Sequence, residues 1–90
     1  MAVSQTITIS KVGGVNEDIS IYTTEALLTF LHNAIDSGKM TNDRTYSGDT
    51  MTITRTWTDE GWSEYQSYVD STTHDNLVAA GYTVTNTNDA

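Results

Sequence analysis

The stretch Thr50-Met-Thr-Ile-Thr-Arg-Thr-Trp57, running straight into Thr58-Asp-Glu-Gly-Trp-Ser-Glu-Tyr65, decides the fold. Its first eight residues alternate. Met51, Ile53 and Trp57 point one way, with Arg55 in phase as a polar exception; Thr52, Thr54 and Thr56 point the other. A period of two over β-branched side chains marks a half-buried strand. The period then changes. Thr58 reads as an N-cap, because its hydroxyl can accept from a backbone N–H one turn on. Asp59 and Glu60 place negative charge in the first turn, where the helix dipole favours it. Trp62, Tyr65 and Val69 fall at i, i+3 and i+7 as one apolar stripe, flanked by Tyr68. Ser71, Thr72 and Thr73 break this helix. Thr72, with Asp75 three residues on, reads as a fresh N-terminus. Leu77 and Val78 anchor the second piece, and Gly81 ends it. Tyr82 and Val84, alternating with Thr83 and Thr85, predict a last strand.

Working outward, residues 40–46 form a weaker strand, with Met40 and Tyr46 on one face and Asn42 and Arg44 between them. Ser47, Gly48 and Asp49 turn it into the Thr50 strand as a hairpin. Before it lies a helix capped by Thr23 or Thr24 and running to about Ser37. Its stripe is Leu27, Leu28, Leu31, Ala34 and Ile35, with Phe30 alongside and Gly38 at its C-terminus. The chain opens on a strand in which Val3, Ile7 and Ile9 share a face with Gln5, opposite Ser4, Thr6, Thr8 and Ser10. Gly13-Gly14 has two readings. It is a tight hairpin turn into a short extra strand over residues 19–22, or the start of a long loop into the helix. The tail, residues 86–90, is polar and expected to fray.

The element order is β-α-β-β-α-β. This is the ferredoxin-like α+β sandwich: a four-stranded antiparallel sheet with helices on one face and the second helix broken near Ser71 to Thr73. The predicted core is Val3, Ile7, Ile9, Leu27, Leu31, Ile35, Met51, Ile53, Trp57, Trp62, Tyr65 and Leu77. Ninety residues make one domain with a thin core, so further burial by self-association is expected.

Twelve acidic residues against four basic give a net charge of −8. That excludes a phosphate-binding nucleic-acid surface and attraction to an anionic membrane. With no cysteine there are no disulfides, thiol catalysis or thiolate metal sites. The sequence shows neither a leader pattern nor an apolar run of spanning length, so an intracellular, cytoplasmic location is expected. There is no proline, and turns fall to Gly, Asn, Asp and Ser. Threonine is abundant: seventeen residues, many at alternate positions.

Those threonines define the other sheet face. It carries Ser4, Thr6, Thr8 and Ser10, then Thr41 and Thr45, Thr52, Thr54 and Thr56, and Thr83 and Thr85. Three readings compete. The face is solvated, since threonine suits strands and tolerates water. It meets a second copy, closing two sheets into a barrel with Thr6, Thr8, Thr52, Thr54, Thr56, Thr83 and Thr85 at the dimer face. Or it recognises a patterned surface such as ice or a glycan, which demands a flatter sheet than four twisted strands offer.

Few residues suggest chemistry. His32 lies off the helix stripe and reads as a surface residue. His74 with Asp70 and Asp75 reads as capping, because a metal needs three or more converging ligands; no metal or cofactor is expected. Asp59, Glu60 and Glu64 serve the helix dipole before general acid–base work. Gly13-Gly14 lacks the helix start of a phosphate loop. Trp62 reads as core. Arg55 stands out, because a charge in phase with apolar residues should not be buried unpaired. It snorkels at an edge, pairs with an acid such as Asp59 or Glu64, or binds an anion.

Arg55-Thr-Trp57-Thr-Asp-Glu60 and Trp62-Ser-Glu-Tyr65, within this element order, resemble the dimeric α+β barrel superfamily of antibiotic-biosynthesis-monooxygenase-like and haem-degrading enzymes. The resemblance implies a homodimer formed through the sheet faces. It also implies a cavity near Arg55, Trp57 and His74, with Trp57 and His74 matching a Trp and a His of the haem-degrading branch. Gln5 stands on the first strand where that branch has an asparagine. The composition also resembles that of small phage reading frames, which would place the protein in an infected host cell. The leading expectation is a non-enzymatic accessory or interaction module that dimerises through its threonine face. The alternative is a cofactor-independent monooxygenase of the barrel type.

Overall fold

In the computed structural model, which describes residues 2–15, 19–69 and 71–90, the alternating segments pair as the pattern predicts. β1 (Val3–Ser10), β2 (Met40–Ser47), β3 (Thr50–Trp57) and β4 (Thr83–Asn88) form an antiparallel sheet in the order β2-β3-β1-β4. β1 and β2 flank β3, while β3 and β4 flank β1, so each helical connection passes over one strand. The protein is therefore α+β, with three α-helices among the described residues: α1 (Glu25–Asp36), α2 (Asp59–Tyr65) and α3 (Thr72–Ala79). All three bury side chains against one sheet face. Val3, Met40 and Trp57 meet Leu27, Leu31 and Ala34 of α1 and Tyr65 of α2. Ile7, Ile9, Met51 and Ile53 meet Leu77 of α3 and Tyr82.

Local chemistry fixes the ends. The Thr58 hydroxyl accepts from the Gly61 N–H at 3.0 Å, as its N-cap role requires. Gly81 has φ +95°. Its N–H donates to the Val78 carbonyl and that of Tyr82 to the Leu77 carbonyl, the paired closure of a helix ending on a left-handed residue. Gly61 itself is a close-approach site. A Cβ there would lie 2.8 Å from the Lys39 carbonyl, which is held by the Thr58 N–H.

Several expectations change. The segment Ile19–Tyr22 is a short 3-10 helix, not an extra strand, and Gly13 and Gly14 (φ +93° and +95°) turn a loop. Ala34 takes the inward place assigned to Ile35, which is 43 % exposed. Seven residues after Leu27 return within about 20° of its direction, whereas eight overshoot by about 80°. Trp62 is half-buried at the edge of the core. α2 ends at Tyr65, earlier than predicted. Tyr68 then stacks on Phe30 at 4.4 Å while remaining exposed, and Val69 lies outside the helix and is exposed as well. The N-cap position of α3 is Ser71 and not Thr72, although the Ser71 side chain makes no capping hydrogen bond, and Val78 faces outward with Leu77 alone buried. The tail does not fray: β4 pairs with β1 as far as Asn88 opposite Gln5. Ser4 N–H then donates to the Asp89 carboxylate at 2.8 Å.

Candidate functional site

The hydroxyl face follows from the pairing register. Residues directly opposite in an antiparallel ladder project to the same side. Thr45, Thr52, Thr8 and Thr85 make one row across the sheet, and Asp43, Thr54, Thr6 and Thr87 the next. Of the fifteen strand positions on this side, fourteen are Ser or Thr and one is Asp43. Thr6, Thr8 and Thr52 are half-shielded by their neighbours, while Thr54, Thr56, Thr83 and Thr85 are exposed. All seven residues expected at a dimer face thus lie together, on the side away from the helices.

The opposite face contains a polar row. Asn42, Arg55, Gln5 and Asn88 are successive partners across β2, β3, β1 and β4. Gln5 is buried, with only 1 % of its surface exposed, and both ends of its amide are used. Its Oε1 accepts from Trp57 Nε1 at 3.0 Å and its Nε2 donates to Asn86 Oδ1 at 3.1 Å. Arg55, half-buried, donates from Nε to Asn42 Oδ1 at 3.2 Å. Burial pulls the Arg55 guanidinium below its ordinary pKa; the Tyr65 hydroxyl, which hydrogen-bonds it, works the other way, and Arg44 adds to the lowering. The expected ion pair with Asp59 or Glu64 does not form. Lys39 takes the helix acids instead, with Nζ 2.7 Å from Glu64 and 3.4 Å from Glu60. The Glu64 hydrogen bond is the main cause of its raised pKa. Lys39 starts the chain into β2, directly beside the first turn of α2, so it reaches those acids first. Among the described residues Arg55 has no carboxylate partner.

Arg55 lines a cavity of about 120 Å³ between the sheet and the helices. Ile7, Ile9 and Ile53 floor it, Leu27 and Leu31 of α1 and Leu77 of α3 wall it, and Tyr65, Thr73, His74 and Asn86 bring polar atoms. Buried residues form the floor; His74, Val69 and Asn86 are exposed at its rim. Thr73 Oγ1 is buried with no hydrogen-bond partner among the described residues. The structure therefore brings Arg55 and His74 together, as the sequence suggested, but not Trp57. That residue is fully buried behind the wall, its ring stacked on Tyr65 at 4.8 Å and its N–H on Gln5. Thr73 and Asn86 were missed. Thr73 read as a helix break and Asn86 as tail, although Asn86 is in phase with Val84 and that alternation was the signal.

His32 is exposed on α1. Asp70 lies outside the described residues, and among the described ones no three His, Asp or Glu side chains converge on a metal position. No described helix is long and apolar enough to cross a membrane. The class defined by fold and site is thus a small α+β protein with a four-stranded antiparallel sheet, one hydroxyl-covered face and a small cavity under its helices. Compared with known protein families and with curated proteins, the chain finds a match in neither.

Proposed function

We propose that the protein is a non-enzymatic interaction module of ferredoxin-like, dimeric α+β barrel type, acting inside the cell and pairing with a second copy through its hydroxyl face. The observation that carries this is the composition of the face. A molecule with twelve acids and a net charge of −8 places a single carboxylate, Asp43, on fifteen adjacent strand positions and no base. Two such faces meet without the repulsion that the helical side, with Glu25, Asp36, Asp59, Glu60, Glu64 and Asp75, would impose. Threonine supplies methyl groups to pack and hydroxyls that donate and accept across the seam. The strand order β2-β3-β1-β4, with both helical connections crossing one strand, supports the ferredoxin-like assignment.

Size sets the strength. Four strands spaced about 4.8 Å apart, three of them roughly 27 Å long and β4 roughly 20 Å, offer roughly 500 Å² per copy. Twice that lies at the low end of specific interfaces, so the dimer is a reversible one of micromolar strength or weaker. The barrel-enzyme alternative is less well supported, because a cavity of about 120 Å³ falls below the few hundred cubic ångströms typical of substrate pockets. Thr54→Lys tests the reading. Thr54 is exposed at the middle of the face and opposite Thr6, so a lysine there leaves the monomer folded and abolishes self-association. Unchanged association in this variant contradicts the proposal.

A further inference from the structure

We propose that the cavity beneath α1 and α3 is a binding site for a small monocarboxylate whose apolar body is smaller than a benzene ring, held by Arg55 and Thr73. This stands independently of the dimer. Three observations converge on one space. Arg55 is a half-buried cation whose hydrogen-bond partners, Asn42 and Tyr65, are both neutral, and no carboxylate among the described residues pairs with it. That is unexpected in a chain with three acids for every base. A buried charge normally finds its counter-charge, and a planar guanidinium fits a carboxylate with two parallel hydrogen bonds. Thr73 Oγ1, on the same cavity, is a buried hydroxyl with no partner among the described residues, and such groups are rare because leaving them unmade is costly. Most of the remaining wall is aliphatic, from Ile7, Ile53 and Leu77 among others, with Thr23, Tyr65, His74 and Asn86 as its other polar members.

The chemistry of the ligand follows. The cation selects an anion and the hydroxyl adds one donor to it. Aliphatic walls favour an anion with a hydrocarbon body over a fully hydrated inorganic one. A cavity of about 150 Å³ takes benzene, so about 120 Å³ takes a short-chain acid. Entry is at the rim of His74, Val69 and Asn86, where the lining is exposed.

The test is a nuclear magnetic resonance titration of the full chain with butyrate, and with 1-butanol as the uncharged counterpart. The expected result is saturable movement of the Arg55 Nε–H and Thr73 amide signals with butyrate, with 1-butanol binding about tenfold weaker or more. Arg55→Gln lowers butyrate affinity by about tenfold or more, and Thr73→Val by about threefold to tenfold. Thr73→Val preserves shape, so it decides the matter alone if Arg55→Gln does not fold. No saturable shift, equal affinity for 1-butanol, or unchanged butyrate affinity in the folded variants overturns the proposal.

Discussion

At the scale of single residues, the interior is organised by a short polar chain. Trp57 Nε1 donates to Gln5, and Gln5 donates to Asn86. Gln5 is in phase with Val3, Ile7 and Ile9, and its neighbours justify its place by using both ends of its amide. Gln5→Leu keeps the volume but leaves the Trp57 N–H buried without an acceptor. A loss of about 1–3 kcal/mol is expected from urea denaturation; an unchanged midpoint contradicts the account. Thr73→Val makes the opposite prediction. Its hydroxyl lacks a partner among the described residues, so removing it leaves stability unchanged or raises it by up to ~1 kcal/mol. A clear loss in the same denaturation experiment shows that the hydroxyl is satisfied in the free protein. The polarity of these positions was legible in the sequence, but their partners were not. Arg55 was visibly out of place among Met51, Ile53 and Trp57, yet the acids nearest in sequence, Asp59 and Glu64, do not serve it. Lys39, brought beside α2 by the return from α1, takes Glu64. Which cation reaches which acid depends on tertiary approach, and spacing along the chain does not encode it.

At the scale of elements, legibility followed the strength of the period. β3, β1 and α1 carry long unbroken patterns and lie where those patterns place them, within a residue or two. The weak points are short. α2 has only seven residues, and the apolar run through Val69 continues the helical period beyond the helix. A stack of Tyr68 on Phe30 overrides it, and the sequence cannot show that contact, because Phe30 is nearly forty positions away. Residues 86–90 looked like a polar tail, but their backbone groups find β1, and pairing needs no apolar side chain. Gly61 carried no periodic signal at all. Its hydrogen atom lets the first turn of α2 approach the Lys39 carbonyl. Gly61→Ala therefore costs about 1–3 kcal/mol through overpacking, although alanine improves the intrinsic helix propensity by about 1 kcal/mol. A thermal melt checks this, since a raised midpoint means that the approach is looser than described.

At the scale of the whole molecule, the protein has two unlike sides. One carries three helices, two neighbouring clusters of core residues and a cavity lined by parts of both. The other is a sheet of hydroxyls in a molecule that is otherwise acidic. Eleven of the seventeen threonines lie on that side, a concentration that alternation alone made visible in the sequence. What covers it was not visible there, because a solvated threonine face and an apposed one have the same pattern. The central claim is that a second copy covers it. Light scattering across a concentration series from well below to well above the micromolar range tests this most directly. The mass is expected to rise from that of the 9.9 kDa monomer to twice that value, with Thr54→Lys held at the monomer mass throughout. A chain that stays monomeric at every concentration, or a Thr54→Lys variant that doubles as the parent does, contradicts it.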